Sequence, residues 1–558
     1  MVDRDRVESS GGPPHRSARD AVADHARALT AERRRELGSH ATPEALALHL
    51  VELALRHLHR LPRRVLDPSC GAGSFLIAAA DALVRRGVDP AEVVEQRLEG
   101  WDVDPEAVVH CREALRRWAA AHGVRRPVDV RVVELDALDP TAGPAGSVDL
   151  VVGNPPFLSQ RTVDTARGVA RREQMDARFG PLGPYVDEAA VFLLVAAEML
   201  SPGGVAVMVQ PRSTLSARDA GAVRDRLLDV AAPVAVWADD GRHFDAEVDV
   251  WAPVLRRSVD GDLGGDVEHG VEVHWGTAAE AVDRPRPGPG LSWGPLLAAA
   301  LGVPEIGPAG EMAPVGAAGH RTIGDVATAT AGFRDEFYAL SAAARSRDEP
   351  GWGPQLPPLV TVGMIDVGRL DPQRPRRFGG RLVVDPRLDV DSLQTDAPAV
   401  AAWARKRQVP KVLVATQTRV LEAVADLDGQ MVPVTPTVSV EPTGAVGFGP
   451  QELLAAVCAP PSAARLARDA AGSGLSAGAV RVSAAAVRAL PLPSDTGAWK
   501  EGTDLIAGLG LDDESGSDEL LHRFGEVMVR AYGPADPDLL AWWWPRATGR
   551  RAGGADGA

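Results

Sequence analysis

Val148-Asp149-Leu150-Val151-Val152-Gly153-Asn154-Pro155-Pro156-Phe157 is an apolar run, broken only by Asp149, that stops at a glycine, an asparagine and two prolines. A run of this kind reads as a strand buried on both faces, the signature of a parallel sheet. The chain must leave the sheet at Gly153, because each proline fixes φ and removes a backbone donor. Asn154, which precedes a proline, is held toward extended geometry. The result is a stiff corner carrying an amide, a carbonyl at Pro155 and a flat ring at Phe157. Carboxyl ends of parallel strands are where open α/β sheets bind ligands.

Upstream, Val65-Leu66-Asp67-Pro68-Ser69-Cys70-Gly71-Ala72-Gly73-Ser74-Phe75 reads as a short strand, a glycine turn and the start of a helix over 76–86. Gly71 and Gly73 let the backbone turn tightly and approach a bound molecule, and a helix N-terminus offers free N–H groups. A dinucleotide-binding loop would carry a third glycine where Leu76 stands, and a phosphate loop would need a Gly-Lys pair. The pattern therefore points to a nucleoside without a pyrophosphate. The next strands end at Asp102 and at Asp136-Ala137, so three strand tips deliver Asp67, Asp102 and Asp136 to one sheet edge. An acid at the second tip can accept both ribose hydroxyls.

Composition sets the outer bounds. The 558 residues exceed one compact core, so two or three domains are expected. The 45% hydrophobic and 24% charged content is that of a globular protein. No apolar run reaches about 18 residues, and no signal core follows Met1, so no membrane association and a cytoplasmic location are expected. Cys70, Cys111 and Cys458 are scattered, with no zinc-type pairing. A net charge of −16 argues against coating nucleic acid by bulk electrostatics, though not against a locally basic cleft.

Five segments are expected. Residues 1–36 read as a flexible arm and 37–257 as the α/β domain, in which Thr42-Pro43 looks like a helix N-cap and first turn. Residues 258–320 are Gly/Pro-rich and read as a linker or insertion. Residues 321–495 switch to short strand-like runs, a strand-rich α+β domain, and 496–558 form a helical extension whose Trp542-Trp543-Trp544 packs back on the body. In 320–430, 15 Arg and Lys balance 14 Asp and Glu, with clusters at Arg374, Arg376, Arg377 and Arg381 and at Arg405, Lys406, Arg407 and Lys411.

Taken as a set, Asp67 to Phe75 followed by Asn154-Pro155-Pro156-Phe157 resembles the cofactor loop and catalytic tetrapeptide of the gamma-class N6-adenine DNA methyltransferases of restriction-modification systems. Gly38 to Pro43 is similar to the motif that precedes their cofactor loop, and Ser201-Pro202-Gly203-Gly204 to a later turn. More loosely, residues beyond 320 resemble their carboxyl-terminal target-recognition domain, in Thr322 to Val326, Lys411 to Val414 and Leu490 to Pro493. One departure is Asp102, where the family often carries Glu.

The resemblance implies a Rossmann-like fold, S-adenosyl-L-methionine as cofactor, and double-stranded DNA as partner, with a restriction endonuclease or other defence component beside it. It implies that Thr42, Asp67, Pro68, Gly71, Gly73, Phe75, Asp102, Asp136, Ala137 and Asn154 bind the cofactor, with Asp102 on the ribose and Asp136 on the adenine amino group. Asn154, Pro155, Pro156 and Phe157 would be catalytic, the two arginine-rich clusters would contact DNA, and no metal is called for. The same tetrapeptide also occurs in enzymes that methylate glutamine amides or RNA base amines. A non-catalytic DNA-binding defence subunit is a third reading.

Overall fold

In the computed structural model the described residues are 42–143, 145–157, 166–183, 185–239, 249–259, 270–276, 281–306, 321–332, 334–444, 447–471, 480–509 and 514–549. The arm over 1–36 and the motif residues Gly38 to Ala41 lie outside them. The chain divides into two compact units, Met1–Ser292 and Trp293–Ala558.

The first unit is built on one sheet: β1 (Val65–Asp67), β2 (Leu98–Asp102), β3 (Val132–Glu134), β4 (Val148–Gly153), β5 (Leu200–Met208), β6 (Gln210–Pro211), β7 (Ala231–Ala238), β8 (Val250–Arg257), β9 (Val271–Trp275) and β10 (Val282–Arg284). The strands run in the order β10-β9-β7-β8-β5-β4-β1-β2-β3, with β6 paired to β8. Strands β3, β2, β1, β4 and β5 are mutually parallel, and β8 enters antiparallel between β5 and β7. The chain moves outward from β1 through β3, then returns to the other side of β1 as β4. That reversal makes the β1/β4 boundary the topological switch point.

Every residue of β4 is buried, which explains its apolar run. Leu150 and Val152 join the core formed with α1 (Glu44–Arg56), α2 (Ser74–Val84) and α3 (Pro105–Ala121), while Val151 is buried outside that cluster. Leu50, Leu76 and Leu115 fill this core, and burying each such side chain is worth about 1.5–3 kcal/mol. The one charge in the run is used too, since Asp149 accepts from the Arg63 and Arg64 amides at 2.8 and 3.2 Å and fixes the entry to β1. Two further helices follow the proline corner, α4 (Ala166–Phe179) and α5 (Glu188–Met199).

Residues 258–320 differ from the linker expected of their composition. Val271–Trp275 and Val282–Arg284 extend the first sheet, while Ala298, Val303 and Ile306 sit in the core of the second unit. Scattered aliphatics among Gly and Pro conceal these short pairings. The second unit has a four-stranded antiparallel sheet of Ala327–Ala331, Thr437–Pro442, Lys411–Ala415 and Ala423–Asp426 in that order, with several two-stranded ribbons. Helices Pro450–Cys458, Thr496–Gly508 and Glu514–Tyr532 share its core with Trp542 and Trp543, so the described residues of 496–549 are integral to the unit rather than appended. Among the described residues no helix is long and apolar enough to cross a membrane.

Candidate active site

The turn after β1 and the corner after β4 lie side by side at the switch point, because Leu66 pairs with Val151 and each strand ends within two residues. A methyl group at Gly153 would lie 2.8 Å from Asp67 Oδ1, so the carboxyl rests directly on the backbone that leads to Asn154. On the other side Asp67 is in register with Gly100, two residues short of Asp102. One edge therefore carries Asp67, the glycine turn, Asp102 and Asn154.

The turn itself is braced from below. Gly71 has φ +52° and donates its N–H to Asp102 Oδ2 at 2.8 Å, and Asp102 Oδ1 accepts from the Asp104 amide at 2.9 Å. Gly73 has φ +99°, and a side chain there would strike the Cys111 thiol at 2.9 Å. Beside Gly71, by contrast, a Cβ would meet nothing within 4 Å. Helix α2 starts at Ser74 with no side-chain cap on its first-turn donors. Phe75 is buried in the first core, so its ring secures the helix rather than lining the turn.

Burial dominates the electrostatics. Asp67 is 1% exposed and its carboxyl is pushed up to about 8, chiefly by desolvation and further by Asp102, against one hydrogen bond from the Ser69 amide. Asp102 is raised for the same leading reason. The Ser69 hydroxyl, at the same turn, is buried and has no hydrogen-bond partner among the described residues. Nothing in the sequence pattern singled that oxygen out.

Asn154 Nδ2 donates to Thr42 Oγ1 at 3.0 Å. Thr42 is therefore not the N-cap its sequence suggests, since α1 begins at Glu44 after Pro43 with no side-chain cap. Pro155 is buried, and Phe157 is half-buried and packs against the first core.

Asp136 stands apart from the expectation. Its Oδ1 accepts from Leu138 N at 3.0 Å and its Oδ2 from Gln174 at 3.0 Å and from Arg171, both on α4. Burial alone would raise this carboxyl, but the Arg171 guanidinium outweighs it and holds the group below the ordinary carboxylate range. Arg171 also reaches Glu188 at 3.3 Å. The Ala137 carbonyl accepts from Arg178 of the same helix. No sequence pattern signals this α4 clasp, because arginines in a charged helix normally read as solvated.

The expected DNA contacts divide sharply. Lys411 is fully buried and pairs with Asp426, which corrects its assignment as a surface cation. Arg374 is bound to Asp366 and Asp371, Arg376 to the Gly363 carbonyl, and Arg381 to Glu349 and the Ala344 carbonyl. Arg405 bonds Gln394, and Arg407 bonds Glu441 at 2.7 Å. Arg377 and Lys406 are exposed, with no such bond among the described residues.

A doubly wound sheet with a glycine turn and an amide-bearing proline corner at its switch point is the arrangement of a Rossmann-like, S-adenosylmethionine-dependent methyltransferase. Residues 26–236 match the family model described as N-6 DNA methylase, and the first unit carries a domain of that family. The chain is 27% identical over 183 residues to the methylase subunit of the type I restriction enzyme EcoEI of Escherichia coli, a match spanning 32% of this chain and 33% of the relative. It thus spans about a third of the length of that curated relative. Among solved structures it is similar to the type I methyltransferase subunit of Streptococcus thermophilus (21% identity, 44% of this chain and 50% of the other, TM-score 0.32). It is also similar to the M protein of type I enzyme EcoKI (18% identity, 39% and 44%, TM-score 0.30).

Proposed function

We propose that this protein transfers a methyl group from S-adenosyl-L-methionine to N6 of an adenine flipped out of duplex DNA. It would act in the cytoplasm as the modification component of a restriction or phage-defence system, beside a nuclease or other defence subunit. The observation that carries this reading is the placement of the Asn154 amide on the same rim as the Gly71–Gly73 turn. The name of the curated relative, a type I restriction enzyme methylase subunit, points the same way.

The turn suits such a cofactor. Open space beside Gly71, the buried Ser69 hydroxyl without a partner among the described residues, and the Asp67 carboxyl give a cradle with one acidic and one hydroxyl contact. Asp67 would meet the amino group of the methionine portion, while Asp102 would support the ribose side through the turn it braces. Asp136 and Ala137 would hold the adenine end once the α4 clasp shares or yields that carboxylate. When bound, S-adenosylmethionine supplies a methyl group on a sulfonium centre.

This chain's own residues act on the purine amine. Adenine N6 is a weak nucleophile because its lone pair is delocalised into the ring. Asn154 Oδ1 and the Pro155 carbonyl would accept its two hydrogens and draw the nitrogen toward tetrahedral geometry, freeing that pair. Acceptors fixed before the reaction cost no reorganisation when charge develops, and orientation supplies several kcal/mol more, of the order of 7 in favourable cases. The Phe157 ring would stack the extruded base and offset part of the unstacking cost of a few kcal/mol. The second unit would then position the duplex and read its sequence.

The decisive test sequences host DNA for methylated adenines with the gene intact, deleted, and carrying Asn154→Ala. Adenine methylation that persists in the Asn154→Ala strain refutes the catalytic assignment. Transfer to a protein or RNA but not to DNA replaces the substrate.

A further inference from the structure

We infer that the ribbon formed by Arg376–Phe378 and Arg381–Val383 is the part of the second unit that enters a groove of duplex DNA, with Arg377, Leu382 and Tyr338 as its contact residues. The inference rests on the reading of the chain as a DNA methyltransferase and specifies how that enzyme holds its substrate.

The ribbon's two faces have opposite characters. Its pairs are Arg376 with Val383, Arg377 with Leu382 and Phe378 with Arg381. Side chains alternate across a strand, so Arg377 and Leu382 share one face while their neighbours share the other. On the inner face Phe378 and Val383 are buried, with Phe378 edge-on to Phe337 at 5.2 Å. The arginines of that face are spent on the protein itself, Arg376 on the Gly363 carbonyl and Arg381 on Glu349. On the outer face Leu382 is 66% exposed, opposite the exposed Arg377, which no group among the described residues neutralises. Leu382 is the most exposed of the large hydrophobic side chains among the described residues, and it stands beside an unspent guanidinium.

The tip is shaped for close approach. Gly379 and Gly380 both have positive φ, +57° and +84°, so the turn needs glycine at each. A side chain at Gly379 would overlap Ser341 of helix Arg334–Ala343, while beside Gly380 there is nothing within 4 Å. The turn thus lies flat on that helix with its other side bare. Ribbon and helix enclose an open groove of about 620 Å³, and Tyr338 stands on its helix side 57% exposed.

The chemistry of the occupant follows from charge. Arg374, Arg381 and Arg387 are paired with carboxylates and Arg376 is turned onto a carbonyl, so the charge presented to an occupant is the positive one of Arg377. An aliphatic side chain and an uncommitted arginine on a narrow two-stranded ribbon, with a planar ring on the adjoining helix, match a major groove, which admits such a ribbon and offers phosphates, guanine edges and thymine methyls. Lys500, exposed on helix Thr496–Gly508 and in neither arginine-rich cluster, serves as the control.

The test titrates the full-length protein with a fluorescently labelled duplex of mixed sequence over a range of KCl, and separately measures S-adenosylmethionine binding by calorimetry. Arg377→Ala is expected to weaken duplex binding about tenfold and to lower the salt slope by about 0.9, the share of one phosphate. Arg377→Lys should restore the slope, Leu382→Ser should weaken binding without altering it, and Lys500→Ala should leave both near wild type, all with unchanged cofactor affinity. Wild-type duplex affinity and slope in Arg377→Ala and Leu382→Ser would overturn the inference while leaving the enzyme assignment intact. Loss of association with a partner protein and not with DNA would overturn it in favour of a protein interface. Failure of the wild-type protein to bind or methylate any duplex would instead remove the reading on which it rests.

Discussion

Asn154 Nδ2 donates to Thr42 Oγ1 at 3.0 Å, joining residues 112 apart in the chain. The bond commits the amide nitrogen to the protein, and in the proposed reaction the oxygen is the atom that accepts from the substrate amine. It also ties the proline corner to the entry of α1, whose apolar face anchors in the first core. Thr42 therefore serves as a positioning residue for the amide in this reading, where the family resemblance implied a cofactor contact. Thr42→Val should lower kcat about tenfold, the equivalent of roughly 1.4 kcal/mol for one hydrogen bond, with little change in cofactor Kd. Thr42→Ser should recover most of the loss. Single-turnover methylation beside calorimetry separates the two roles: a weakened Kd at unchanged kcat returns Thr42 to the cofactor.

Asp67 gives the cofactor-free protein a pH dependence of definite sign. In the unfolded chain its carboxyl titrates near 3.9, whereas burial raises it to about 8 in the folded protein. Between those values the unfolded chain has released a proton that the folded one retains, so the contribution is complete below the lower value and is lost as pH rises toward 8. Asp67→Asn should abolish this component. Thermal unfolding of both proteins from pH 5 to 8 should show Asp67→Asn gaining on the wild type as pH rises. Parallel curves would mean that the carboxyl is ionised in the folded state.

The Arg171 clasp predicts the opposite trend. Asp136 is held below its ordinary value by that guanidinium, so its share of stability is present above about 3.9 and disappears as pH falls through the lowered folded value. The side chains of Arg171 and Asp136 are 23% and 29% exposed, so we discount the cost of breaking a buried pair to about 2 kcal/mol. Arg171→Ala should destabilise the first unit by that amount at pH 7 and by less near pH 3. Denaturant titrations at the two pH values decide it, and an equal loss at both would assign the effect to packing of α4.

Much of the first unit was legible because its signals are local. The apolar run into Asn154-Pro155-Pro156 marks a two-sided strand, and the strand-turn-helix at Val65 to Val84 follows from Gly71 and Gly73 alone. The clasp on Asp136 was not legible, since it depends on which face of α4 meets the sheet edge, a tertiary fact. Thr42 misled for a related reason: a threonine before proline makes a good cap in isolation, and only the fold brings Asn154 within reach of its hydroxyl. In the second unit the strand-like run over 411–415 coincides with the strand Lys411–Ala415, and the run over 382–384 falls within one residue of Arg381–Val383. Which arginines remain available for a ligand was not, because composition counts charges without showing their partners.

Lys411 and Asp426 supply the clearest separation of structure from binding. The pair is buried between adjacent antiparallel strands, and Asp426 also accepts from the Gln430 and Met431 amides at 2.9 Å each. Removing the lysine leaves a buried carboxylate without its counter-charge, a loss of about 3–5 kcal/mol. Replacing both residues with apolar ones does not repair the site, because two backbone donors then go unsatisfied, at about 1–3 kcal/mol each. Lys411→Met should therefore lower the melting temperature of the second unit sharply, and Lys411→Met with Asp426→Leu should fail to restore it. At temperatures where Lys411→Met stays folded, its duplex affinity should keep the wild-type salt slope. A slope reduced by about 0.9 would instead put this lysine on a phosphate.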